Sequence, residues 1–217
     1  MRKNSDLVVS YLTLRQMIGW IGLVMPFVVR AGAIGFQRLP TQGSVSAYYY
    51  TGMRDIFVST LVLVGALMIC NRTKRIWDNI VSIVAGLAAI GIALFPMDYD
   101  NSVGQCPTCV IHWFLGHHYT FVVIFFALCF VMVFFQFPGR TPSDAWKEMR
   151  MRNIIYRVCG VVMLLSFIAI GIVQSRHKPE SFFWPESIAV FAFGVAWLVK
   201  GQTVLKDKPG APLRSAS

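Results

Sequence analysis

Apolar residues in this chain come in runs far longer than the stripe of a soluble amphipathic helix. Six such runs, at about 16–36, 53–71, 76–96, 115–137, 154–174 and 183–200, are separated by polar segments rich in Pro, Gly, Ser and charge. A helix that crosses about 30 Å of hydrocarbon needs roughly 20 mostly apolar residues, and lipid admits only segments that satisfy their own backbone hydrogen bonds. The pattern therefore predicts an all-α, polytopic membrane protein. Six transmembrane helices form one bundle over residues 1–200, and a polar tail at 201–217 is expected to be disordered. The first run follows a polar stretch containing Arg15 and shows no small-residue cleavage site, so it reads as a retained helix. The basic turn NRTKR makes the second and third helices antiparallel neighbours. Ser82, Ala85, Gly86, Ala89 and Ala93 give the third helix a small-xxx-small face, which marks it as the packing centre.

Composition agrees: 56% hydrophobic residues, 14% charged, and a positive mean hydropathy of +0.59. The net charge of +10 reads as membrane topology and not as affinity for nucleic acid. With the N-terminus in the cytoplasm, fifteen of the 20 Lys and Arg residues fall on the inner side, and five (Arg30, Arg38, Arg54, Arg176 and Lys178) on the outer. This predicts cytoplasmic N and C termini; the bacterial inner membrane is the location expected from the family resemblance given below. The partners expected are membrane lipids. The three tyrosines Tyr48, Tyr49 and Tyr50 of the first outer loop read as an interfacial aromatic belt, and Thr51 as the N-cap of the second helix.

Candidate chemistry gathers between the third and fourth runs. The polar island from Asp98 to His118 holds Asp98, Asp100, Cys106, Cys109, His112, His117 and His118. Its Cys-Pro-Thr-Cys element admits three readings: a Cys106–Cys109 disulfide in an oxidising compartment, a thiol-redox pair, or a zinc site completed by His112 and His117 or His118. Residues five apart on a helix point about 140° from each other, so His112 and His117 share an ion only if the helix starts near His117. Adjacent His117 and His118 point about 100° apart, so one at most looks into the bundle. At the outer ends of the first two helices, Arg30 and Asp55 are expected to pair, because a charge at membrane depth turns toward a partner or a cavity. The same topology predicts one outward polar pocket holding Asp55 and His117 or His118, with Ser46, the tyrosines and His112 at its mouth.

Two resemblances follow from these residues. The segment SVSAYYYTGMRDIFV resembles the start of helix 2 in a bacterial family of six-helix integral membrane proteins and, more distantly, the DRAM and Frag group. Those proteins place a His at the outer start of helix 4, as His117 or His118 is placed here. The resemblance implies a six-helix bundle with no settled enzymatic activity and a link to membrane lipid; the CPTC element is not part of it. A second similarity is to the CREST transmembrane hydrolases, which use Ser, Asp and three His around zinc. It implies roles for Ser44 or Ser46, Asp55, and His117 or His118, although an HxxxH on the last helix is missing and six spans stand in place of seven. The functional classes in play are thus a lipid-interacting or structural membrane protein, a zinc-dependent hydrolase at the outer leaflet, and a thiol-redox protein.

Overall fold

The computed structural model describes residues 2–97, 117–139, 147–175 and 182–205. Among these the chain forms six helices and no strand: α1 (Arg2–Gln37), α2 (Arg54–Cys70), α3 (Ile76–Leu94), α4 (His118–Val131), α5 (Lys147–Ser175) and α6 (Phe183–Lys200). A 3₁₀ turn, Ser46–Tyr50, lies between α1 and α2, and α4 runs on into a π-helical turn, Met132–Gln136. Five helices carry segments long and apolar enough to cross a membrane: Tyr11–Gln37, Ile76–Leu94, His118–Gln136, Lys147–Val173 and Phe183–Lys200. The remaining one, α2, has 17 residues, or about 25 Å at 1.5 Å per residue. The all-α integral membrane class expected from the apolar runs is what these residues form. Boundaries differ most at two places: α1 begins at Arg2 instead of near 16, and α5 begins at Lys147 instead of near 154.

The most enclosed span is α6, of which 56% is buried, against 44% for α3 and 28% for α4 and α5. This corrects the expectation that the third helix is the packing centre. The small face of α3 is real, with Ser82, Ala85, Gly86, Ala89 and Ala93 all buried, but it serves one tight pair. A methyl carbon on Gly65 of α2 would sit 2.6 Å from the Gly86 carbonyl oxygen, and one on Gly86 would sit 2.5 Å from that of Gly65. A second pair joins α1 to α6: a methyl on Gly194 would lie 2.7 Å from the Leu23 nitrogen and 2.8 Å from the Gly19 oxygen. Between helices in lipid the attraction comes from close backbone approach, which only residues without a side chain permit here. Between the pairs runs a string of rings, Phe125, Phe193, Trp197 and Phe137, with neighbouring centroids 5.1 to 6.0 Å apart.

Polar contacts fix the two ends. At one, α1 at Tyr11 and Arg15 meets the turn after α2: Arg15 Nε donates to Asn71 Oδ1 at 3.2 Å and Arg15 Nη2 to the Tyr11 hydroxyl at 2.9 Å, while that hydroxyl donates to the Arg72 carbonyl. Residues 201–205, read from the sequence as the start of a loose tail, form a turn docked on α1, where Gln16 Nε2 donates to the Gly201 carbonyl at 2.8 Å. At the opposite end the α1–α2 connection folds over the bundle, and it is there that the site lies.

Candidate functional site

The segment 38–53 has little apolar length and many turn formers, so its backbone groups must find partners within the protein. They do so by closing a cap. The Phe183 N–H donates to the Gly43 carbonyl at 2.7 Å, which ties the cap to the first turn of α6. The Ala47 N–H donates to Ser44 Oγ at 3.0 Å, and the 3₁₀ turn that follows buries Tyr48 against Phe183, centroids 5.9 Å apart. The Tyr48 hydroxyl accepts the Gln42 N–H at 3.3 Å. Burial raises its phenol above the ordinary value, against the opposing pull of the Gln42 hydrogen bond and the Arg30 charge, so Tyr48 stays neutral. The Tyr50 hydroxyl donates to the Met97 carbonyl, and Arg54 Nη2 donates to the Tyr49 hydroxyl at 2.8 Å. The three tyrosines are therefore not an interfacial belt: Tyr48 and Tyr49 are buried, because a hydroxyl with a partner inside the protein frees its ring to pack. Thr51 is not the N-cap of α2: Met53 holds that position without a side-chain cap bond, and Thr51 sits two residues earlier, accepting the Met53 N–H at 3.1 Å and donating to the Tyr48 carbonyl at 2.8 Å.

Beneath the cap stands Glu186, in the first turn of α6. Its carboxylate accepts the Val45 N–H at 2.7 Å, and the Ser46 N–H faces it as well. Among the described residues it is the one ionisable group on the wall of a cavity of about 60 Å³ that runs down between α1, α2, α3, α4 and α6. Ser46 and Thr60 are the other polar side chains of that wall; the rest, including Met25, Phe57, Phe125 and Val190, is apolar. Ligand pockets for drug-sized molecules run to roughly 300–1,000 Å³, so this cavity suits a slender chain or a few waters. The arrangement is amphipathic along its length, with a carboxyl acceptor at the capped end and hydrocarbon below.

The residues singled out from the sequence are placed as follows. Arg30 does not pair with Asp55. Arg30 Nε donates to Thr41 Oγ1 at 3.0 Å, and its guanidinium lies 5.3 Å from the Trp184 ring centre and 5.9 Å from that of Phe183. Asp55 is exposed in the first turn of α2, where the helix dipole favours a carboxylate, and among the described residues its side chain has no hydrogen bond or ion pair. His118 is 2% exposed, with Nδ1 2.7 Å from the Phe95 carbonyl oxygen, while its neighbour His117 is exposed at the N-cap of α4. Among the described residues Asp55 and these histidines thus do not share a hydrogen bond, and the direct Asp–His contact expected in the outward pocket is not made. The physical reason is that each has a sufficient local role: a dipole partner for Asp55, and an otherwise orphaned C-terminal carbonyl of α3 for His118. Ser46 does line the cavity, but opposite Glu186 and not Asp55; Ser44 is spent on the cap. Cys106, Cys109 and His112 lie outside the described residues, and with them the disulfide, redox and zinc readings of the CPTC element. Among the described residues, no three His, Cys, Asp or Glu side chains are placed to hold a metal ion.

No protein-family model, curated protein or solved structure matches this chain. The site itself therefore carries the functional reading, and its leading residue, Glu186, is one that the sequence pattern did not mark. Helices α2, α3, α5 and α6 all open with an acid in the first turn, namely Asp55, Asp78, Glu148 and Glu186. The available signal was weak: of these four, only Glu186 follows a proline directly, at a helix start where the ring is tolerated. What sets it apart is a contact with Val45, 141 residues away.

Proposed function

We propose that this chain is a six-span protein of the bacterial inner membrane, with both termini cytoplasmic, that binds a single-chain, lipid-like amphiphile from the outer leaflet. The amphiphile's donor or cationic head group rests on Glu186 and its chain enters the central cavity. The carrying observation is the Glu186 carboxyl group at the rim of a cavity that is apolar apart from Ser46 and Thr60, since an ionisable group at membrane depth is retained where it meets a ligand, a partner or water. Six spans are supported by the course of α2, which starts beside Gln37, whose Oε1 accepts the Gly52 N–H at 3.0 Å, and finishes beside Arg15. It thus retraces the span of α1. The orientation rests on the fifteen-to-five distribution of basic residues.

Orientation is tested by labelling a single-cysteine variant that retains Cys106 with an impermeant maleimide after reduction. Labelling is expected from the periplasmic face; labelling only in inverted vesicles would reverse the topology. The ligand reading is tested by thermal melting in a neutral maltoside detergent with dodecylamine or dodecanoic acid added. Dodecylamine at about a hundred times its dissociation constant should stabilise the wild type by about 2.7 kcal/mol, and dodecanoic acid should not. Glu186→Gln keeps an oxygen to accept the Val45 N–H, so it should fold yet lose the dodecylamine response. Equal responses to amine and acid, or in wild type and variant, would remove Glu186 as the anchor.

A further inference from the structure

On the far side of α6 from the cavity, a groove of about 290 Å³ opens between α1, α5 and α6. Its walls are apolar, with Phe27, Val162, Phe191 and Val195 along it, and Phe27 meets Phe191 edge to face at 6.4 Å. Two features are unlike a plain lipid-facing seam. The first is Ser187, on the groove wall, 2% exposed and with no hydrogen-bond partner for its hydroxyl. A serine in a helix ordinarily returns its proton to a carbonyl of the preceding turn; this one does not. The second is Arg30, one turn beyond Phe27 on the same face of α1, with its guanidinium over the ring of Trp184, which also lines the groove. Thr41 occupies only Nε, and among the described residues the two terminal nitrogens of the guanidinium have no hydrogen-bond partner.

Along α6 the order is Trp184 under Arg30, then Ser187 one turn down, then Phe191 and Val195, about 12 Å beyond Ser187. A fork of N–H donors, a lone hydroxyl and a hydrocarbon trough therefore succeed one another along the direction in which phosphate, ester and acyl chain succeed one another in a lipid. We propose that this groove binds one glycerophospholipid of the leaflet at the capped end, with its phosphate on Arg30, an ester carbonyl accepting from Ser187, and one acyl chain along the trough. Arg suits this task because two of its donors reach two phosphate oxygens at once. The commitment to a phospholipid comes from charge complementarity: Arg30 is a cation at the head of an apolar groove, whereas the central cavity is headed by a carboxyl group. The proposal does not rest on the cavity reading and stands if Glu186 binds nothing.

The test is native mass spectrometry of the purified full chain released from micelles that contain phosphatidylglycerol. The wild type is expected to retain one phospholipid. Arg30→Gln should weaken retention by about tenfold through loss of the charge-assisted fork, and Arg30→Lys should fall between the two. Val158→Trp, at an exposed position of α5 on the groove wall, fills the trough without touching Arg30 and should also lower retention, while Glu186→Gln should leave it unchanged. Wild-type retention in both Arg30→Gln and Val158→Trp, or equal retention of dodecanol, overturns the proposal. A wild-type dimer that Val158→Trp converts to a monomer with phospholipid retention unaltered overturns it too, because the groove would then be filled by a second copy.

Discussion

Replacing Gly65 by valine is expected to lower the melting temperature of the detergent-solubilised protein by roughly 6–12 °C. The Cβ of any side chain there would lie 2.6 Å from the Gly86 carbonyl oxygen, and Ile90 crowds it from the next turn, so the space cannot be made by rotating one flexible side chain. The α2 and α3 backbones must separate, and overpacking of this kind costs about 1–3 kcal/mol. Valine adds two methyls where even one carbon does not fit, which places the change at about 3 kcal/mol, and each kcal/mol moves a domain of this size by about 2–4 °C. Gly171→Val is the control, since a Cβ at Gly171 on α5 meets nothing within 4 Å. If the two variants melt together, the α2–α3 contact is not the close one described.

Asn71→Leu is expected to cost about 2–3 kcal/mol, the range for losing a hydrogen bond to a charged group when the partner stays buried. Arg15 is 6% exposed and Asn71 4%, so solvent does not replace the lost acceptor. Because the cost belongs to the Arg15 Nε left without its acceptor, Arg15→Met in the Asn71→Leu background should recover part of it, giving a double mutant less impaired than the sum of the singles. Chemical or thermal melts of the four proteins close the cycle. Strict additivity would mean that Arg15 and Asn71 do not sense each other.

The fold class was legible in the sequence because hydrocarbon imposes a length and a composition that leave an unmistakable trace. Helix existence followed from the apolar runs, and the small face of α3 from its alanines and glycine. The cap was not legible. Nothing local in SVSAYYY distinguishes tyrosines that lie at a membrane surface from tyrosines that fold inward, because the difference is made by Phe183, Met97 and Gln42. The Arg30–Asp55 pair failed for a related reason. Two opposite charges near the same level of a bundle suggest attraction, but a guanidinium can be satisfied equally by a threonine hydroxyl and a tryptophan face. Charge sign and depth predict that a partner exists, whereas identity depends on the rotation of each helix about its axis, which a two-way apolar pattern leaves open when all faces are apolar.

The pairing of α1 with α6 has a consequence in time. Gly65 and Gly86 are separated by 21 residues, and Gly19 and Gly194 by 175. At about 5–20 residues per second of synthesis, the first pair becomes available within about 1–4 s and the second only after roughly 9–35 s. Throughout that interval the glycine face of α1 has no protein to meet and stands against lipid, while α2 and α3 are already locked. The bundle is therefore closed by the chain's last helix returning to its first, and a ribosome that stops short of α6 releases a membrane segment whose closest partner was never made.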